Sequence, residues 1–363
     1  MSRPTVAKIN LANIKHNFNL ANQLAPNSNN MAVIKANAYG HGLLEVAKCL
    51  QGTAPAFCVA IIEEAVCLRE GGIKEDILVF QGVNSLDELK IARQYNLWVT
   101  IYSYQQLKLI LSHPSECQLQ VWLKIDTGMH RLGLNLEEFI KARKLIKKCG
   151  WIKSEYVVSS HFSCANELKN DESITQLTEF NNLLKMANED STTQLSMSNS
   201  SAMISIPQAN YQWNRPGILL YGLPLFDEPH SSDKSLKPAM SFESQVIAIR
   251  EVKSGESVGY GKGWTANKNS QVATVAVGYA DGYPKQAKNG TPVLVKGKRA
   301  RLVGAVSMDL LTIDVSDIQN VSVGDKVELW GTNLCANEVA TWSGTIGYDL
   351  ITGISHRVPR IYI

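Results

Sequence analysis

The sequence has no Cys-x-x-Cys pair, no His-Glu-x-x-His run and no Gly-x-Gly-x-x-Gly behind a strand pattern. The first two absences leave no ligand spacing for a metal, so none is expected. The third argues against a dinucleotide fold. No apolar run is long enough to span a bilayer, and the opening MSRPTVAKINLANIKHNF lacks the apolar centre of a secretory signal. Neither sign of charge dominates, with 36 Lys and Arg against 33 Asp and Glu. Nucleic acid and anionic membranes are therefore not expected as partners. The seven cysteines are scattered and odd in number. That suits a reducing cytoplasm, with most of them acting as small core residues.

What is present is a chain of 363 residues, 45% hydrophobic, long enough for more than one domain. Apolar runs at 31–36, 57–61, 77–80, 97–102, 119–126, 156–162, 194–200 and 211–217 read as strands. Helical patterns follow them, including 43–50, 63–70, 85–96, 104–112, 136–150 and 173–189. Ser85 with Glu88 three residues on is a capping-box signal, and Gly150 a stop. Continuous apolar strands imply both faces covered. Eight strand–helix units fit a closed (β/α)₈ barrel better than the alternative, an open doubly wound sheet. A short strand within 5–10 precedes the first helix and could join a later sheet.

The pattern changes near residue 225. FDEPHSSDKSLKPAM (226–240) reads as a linker. Beyond it come short β-branched runs at 244–249, 271–277, 291–295, 301–306, 311–315 and 326–330, separated by SGES, NKNS and VKGKR. The expected architecture is an α/β barrel over 1–232 and an all-β domain over 233–363.

In a (β/α)₈ enzyme the site lies at the C-terminal strand ends. Those ends carry Lys35, then Lys124, Asp126 and Arg131, then His161, Asn199, Ser200 and Arg215. Lys35 suits a cofactor aldehyde, or is a lysine snorkelling from a strand end. Arg215 needs a partner because guanidinium keeps its charge. Asn199-Ser200 and the Arg215-Pro216-Gly217 turn sit where barrel phosphate sites form.

In order, AVIKANAYGHG, KIDTGMHRLG, SNSSA, WNRPGILLYG, VGYG, VGYADG and SMD make the chain resemble the alanine racemases nearly end to end. The resemblance implies a fold-type III pyridoxal-phosphate (PLP) enzyme, with a barrel plus β domain and an obligate head-to-tail homodimer. The implied reaction interconverts L- and D-alanine, for peptidoglycan or for alanine catabolism. Lys35 would carry PLP and act as one base, and Tyr260 would enter from the other subunit as the opposite base. Tyr39, Ser200, Gly217, Ile218 and Tyr348 would bind the phosphate, with Asn199 beside them. Arg215 would face the pyridine nitrogen, and His161 would link Arg215 to Tyr260. Arg131 and Met308 would contact substrate. Lys124 matches a position carbamylated in many members; a plain cluster with Asp126 is the other reading. Ser307-Met308-Asp309 and SNSSA depart mildly from the family's CMD and ANSA.

His41 and His130 read as loop histidines, and Asp309 and Asp314 as surface or turn residues. Tyr260 and Tyr279 could equally be turn-packing tyrosines. Two other classes fit the scaffold: a PLP enzyme acting on larger or basic amino acids, and a PLP-binding protein without catalysis. Activity on lysine or arginine above alanine would reveal the first, and PLP binding that leaves deuterium out of alanine's Cα would reveal the second.

Overall fold

The computed structural model describes residues 3–189 and 192–363. Its first strand, β1 (Val6–Ile9), belongs to the second of two large sheets. The parallel sheet is built from β2 (Asn29–Asn30), β3 (Ala32–Val33), β4 (Ala56–Val59), β5 (Asp76–Val79) and β6 (Trp98–Ile101). It continues through β7 (Val121–Lys124), β8 (Val157–Ser159), β9 (Gln194–Ser196) and β10 (Trp213–Asn214). Its order is β2-β10-β9-β8-β7-β6-β5-β4-β3. β2 and β3 are halves of one stretch divided by Met31, so the order starts and ends on the same segment and the sheet closes. Met31 N–H and Val33 N–H complete the seam on the carbonyls of Asn214 and Pro216, at 2.8 and 3.0 Å. This is the expected barrel.

Helices cover the barrel because their apolar residues recur on one face. Leu43–Leu50 buries Leu43, Val46, Ala47 and Leu50 and turns Lys48 to solvent. Ser85 accepts from Glu88 N–H at 3.2 Å, but the Glu88 carboxylate accepts from Asn84, not from the cap. The helix expected to run to Gly150 instead ends at Ile146. Inside the barrel, Trp98, Trp122 and Trp213 meet at tilted and edge-on angles, with centroids 5.5 to 6.4 Å apart.

The second sheet runs Ser270–Val275, Leu311–Asp314, Lys298–Leu302, Pro292–Val295, Lys326–Trp330, β11 (Met240–Val252), β1 and Arg360–Tyr362. β11 is the spine. It pairs antiparallel with β1, with Lys326–Trp330 and with Ser270–Val275. The expected β domain is present, and two short helices, Ala336–Trp342 and Gly347–Thr352, pack at its end. Two expectations need correction here. The strand expected at 301–306 lies at Lys298–Leu302, because Lys296-Gly297 is a tight hairpin with positive φ. And only Cys58 and Cys149 of the seven free cysteines are buried.

Candidate active site

The chain after β3 does not turn into an ordinary helix. Ala36, Asn37, Ala38 and Tyr39 all have φ between 51 and 55°, a left-handed turn of four non-glycine residues. Such residues cost about 1–2 kcal/mol each, so a run of four persists only where its surroundings hold it. The turn connects two of the expected site residues. Lys35 stands half-buried at its start, its Nζ 6.0 Å from the Phe80 ring centroid. Tyr39 is buried at its end, stacked on Tyr221 at 4.8 Å.

Two adjoining cavities share Lys35, Phe80, Arg131, His161 and Arg215. One, of about 330 Å³, is walled by Thr100, Trp122, Lys124, Ser159 and Ser160. The other, of about 360 Å³, holds Tyr39, Asn199, Ser200, Gly217, Ile218 and Tyr348. The barrel therefore brings all the strand-end candidates except Asp126 to one place. Among the described residues lining both cavities there are four cations, Lys35, Lys124, Arg131 and Arg215, and no acid.

Arg215 is buried, and its partners are the Ser196 hydroxyl and the carbonyls of Ser160 and Met197. No carboxylate pairs with it among the described residues. Burial lowers its affinity for a proton to about 10 on the pKa scale. Burial also pushes the Lys124 amine down to about 8, with Arg215 and Arg131 adding to the effect. The His161 imidazole is held well below its ordinary range by burial, then by Arg215, Lys124, Arg131 and Lys35. It is a neutral ring at pH 7. No hydrogen bond joins His161 to Arg215 among the described residues; the guanidinium bonds instead to the Ser196 hydroxyl and the carbonyls of Ser160 and Met197.

Asp126 does not cluster with Lys124 and Arg131. Its Oδ1 accepts from the N–H groups of Gly128 and His130, and its Oδ2 lies 3.0 Å from His130 Nδ1. His41 is not a solvated loop histidine either. It is fully buried, with Nδ1 bonded to the carbonyls of Ala38 and Tyr39.

The second cavity has a cradle. Ser200 Oγ accepts from Gly217 N–H at 2.8 Å and from Leu219 N–H at 3.2 Å, which fixes the turn after β10. A Cβ at Gly217 would stand 2.7 Å from the Tyr39 hydroxyl. Ile218 N–H has no hydrogen-bond partner among the described residues. Asn199 Oδ1 caps Ala202 N–H at 3.0 Å. Tyr348 arrives from helix Gly347–Thr352 of the β domain, with its hydroxyl pushed up to about 12 by burial and then by Asp227.

Tyr260 and Met308 line neither cavity. They are 79% and 54% exposed on the β domain. The Tyr260 turn packs on Gly304 and Ala305, and Tyr279 and Ala280 donate to the carbonyls of Ser307 and Met308. Asp309 is more than a surface residue: it pairs with Arg357, which with Arg3 also holds the buried Asp281. Phe80, Trp122 and Ser160 are wall residues that sequence reasoning missed, since apolar and small residues in or just after strands carry no chemical signal. Among the described residues no cluster of three metal-type ligands exists, and no helix is long and apolar enough to cross a membrane.

Comparison with known proteins adds to this geometry. Residues 9–224 match the family model for the alanine racemase N-terminal domain, and residues 239–362 that for its C-terminal domain. An alanine racemase of Alteromonas mediterranea is 43% identical over 362 residues, covering 99% of each chain. The crystal structure of the biosynthetic alanine racemase from Pseudomonas aeruginosa superposes with a TM-score of 0.95 at 43% identity, again over 99% of both chains. The alanine racemase from Bartonella henselae, solved with covalently bound pyridoxal phosphate, superposes with a TM-score of 0.89 at 28% identity, over 99% of both chains.

Proposed function

This chain belongs to the alanine racemase family, isomerases of alanine, and from that premise we propose that it works through PLP on Lys35 and two bases from two subunits. The observation that carries this reading is the charge balance of the joined cavities. Four cationic side chains face no acid, with an amine at one end and the Ser200–Gly217 cradle at the other. That is a site for a phosphate and a carboxylate together, which suits both the cofactor and an amino acid.

The residues fit the cofactor. Lys35 would hold it covalently, and Tyr39, Ser200, Gly217, Ile218 and Tyr348 would hold its phosphate, with Asn199 bracing the loop. When bound, PLP supplies the electron sink that lets an amino acid release its Cα proton. Lys35 Nζ takes or returns that proton on one face, and the phenol oxygen of Tyr260 of the partner subunit does so on the other. Arg215 would face the pyridine nitrogen. A guanidinium cannot accept a proton, so it opposes protonation of that nitrogen. His161, neutral and lined by cations, stands between Arg215 and the entering Tyr260. Arg131 of this chain would contact the substrate, and Met308 of the partner subunit would help hold its carboxylate. A carbamylated Lys124 would supply an anion among Arg131 and Arg215.

The exposed Tyr260 and Met308, the latter next to the Asp309 that Arg357 ties to Asp281, support a homodimer whose sites are shared. The domain division we propose falls near residue 232, with β1 joining the β domain it pairs with. A cytoplasmic location suits seven unpaired cysteines.

The test is to load the protein with PLP, supply L-alanine and follow D-alanine with D-amino-acid oxidase. D-alanine from wild type and none from Lys35→Ala is the expected result. No D-alanine from wild type would move the reading to another amino acid on the same scaffold.

A further inference from the structure

Lys35 leads directly into four left-handed residues, so the direction of its side chain depends on what holds that turn. Both oxygens of one carboxylate meet there. Ala36 N–H donates to Glu64 Oε1 at 2.6 Å, and Ala60 N–H donates to Glu64 Oε2 at 2.8 Å. Ala36 directly follows Lys35 and is the first left-handed residue. Ala60 directly follows β4 and lines the same cavity as Lys35. β3 and β4 are neighbours whose pairing ends at Val33 and Cys58. Glu64 therefore ties the exits of two adjacent barrel strands together at the rim.

Helix capping explains half of this. Glu64 is the third residue of helix Ile62–Glu70, whose first turn has no side-chain cap, and a glutamate there commonly reaches back to a preceding N–H. Ala60 fills that role. The second oxygen crosses to Ala36, which serves no need of the helix. Other groups hold the downstream half of the turn: Asn37 Oδ1 on Leu43 N–H at 2.8 Å, and Arg360 Nε on the Gly40 carbonyl at 2.7 Å. Glu64 holds the end beside the amine.

The geometry points to Glu64 as a positioning residue that aims Lys35 by locking the peptide behind it. This rests on the assignment of Lys35 as the reactive amine. Glutamine in its place keeps the shape, but one of its terminal atoms becomes a donor facing an N–H. Aspartate keeps the charge with a shorter reach, so it can hold one of the two amides.

The full-length protein, with PLP and stripped of it, would be compared as wild type, Glu64→Gln and Glu64→Asp. Amide exchange at Ala36 and Ala60 should quicken roughly tenfold in Glu64→Gln, with Leu78 and Val79 in β5 unchanged. In Glu64→Asp, which serves if the glutamine variant does not fold, one of the two amides should quicken. For alanine, kcat should fall about tenfold to a hundredfold in Glu64→Gln while KM moves about twofold or less. Unchanged exchange at Ala36 in both variants would overturn the clamp. Faster exchange with wild-type kcat would overturn the positioning role. Exchange without PLP is independent of the reaction, so a wild type inactive on alanine would sink the functional reading alone, and the hold of Glu64 on the turn would still be decided.

Discussion

His41 shows how a single side chain is committed by its surroundings. Its Nδ1 faces two carbonyls, which only accept, so the ring proton sits on Nδ1. Its Nε2 is buried without a partner among the described residues, and the ring packs on Tyr221 at 4.5 Å. A second proton would place a charge where no solvent reaches, and burial lowers the pKa to about 4. The unfolded chain takes that proton near 6.5. Between pH 6.5 and about 4 the unfolded state therefore binds more protons, and stability falls as pH falls, by about 3 kcal/mol at most. His41→Phe keeps the ring contact and removes the titration. Its urea midpoint should be lower at pH 7 but fall less steeply towards pH 4.5 than that of wild type; an equal slope would contradict the buried neutral imidazole. Burial lowers the Lys124 amine as well, at the alkaline end of the range. With its amine pushed down to about 8, the neutral, nucleophilic form grows as pH rises through 8. Native mass measured in bicarbonate should show added CO₂ that increases across that range and is missing in Lys124→Arg. A free amine throughout would refute the carbamate.

The turn after β10 works as an element because it has no side chain where Tyr39 needs room. Gly217 has a negative φ of −118°, and the room it leaves beside Tyr39 is what a side chain would take away. Gly217→Ala would drive a methyl into the Tyr39 hydroxyl, and the stack on Tyr221 blocks retreat. PLP affinity, followed by titration of the cofactor's visible absorption, should drop about tenfold, or about 1.4 kcal/mol, with the thermal midpoint close to wild type. Unchanged affinity would place the phosphate elsewhere. Elements of this kind were only partly legible in the sequence. Barrel helices such as Leu43–Leu50 announce themselves through period and caps, and buried strands such as β7 through unbroken apolar runs. The strand-end position of Lys35, Lys124 and Arg215 was readable for the same reason. The left-handed turn was not, since Ala36 to Tyr39 are ordinary residues held there by partners far along the chain. Lys298–Leu302 was missed because its outward lysine and arginines look like turn chemistry, while Ala300 and Leu302 face the core. Glu64 reads as a surface acid on a helix, and only its distant partner sets it apart.

At the scale of the whole molecule, the two bases proposed for one reaction stand in different places. Lys35 lies in the barrel mouth, and Tyr260 lies exposed on a turn of the β domain outside both cavities. If one site uses both, a second copy must bring its β domain to this barrel, and two-fold symmetry makes the exchange reciprocal. Tyr260 and Met308 are recognisable in the sequence only by resemblance, because a glycine-flanked tyrosine and an exposed methionine carry no chemistry until a partner covers them. Mixing lesions tests the arrangement directly. Lys35→Ala and Tyr260→Phe, each nearly inactive alone, would be co-expressed with different tags. In a shared-site heterodimer one site carries both lesions and the other carries neither. Random pairing makes half the dimers mixed, so activity should return to about a quarter of wild type. Purification through both tags should raise it to about half. If each chain builds its own site, every site in the mixture keeps one lesion and no activity returns. The same mixture reports on chirality: in homodimers of Tyr260→Phe, deuterium should leave Cα of L-alanine far more slowly than that of D-alanine, because only the Lys35 face still exchanges protons.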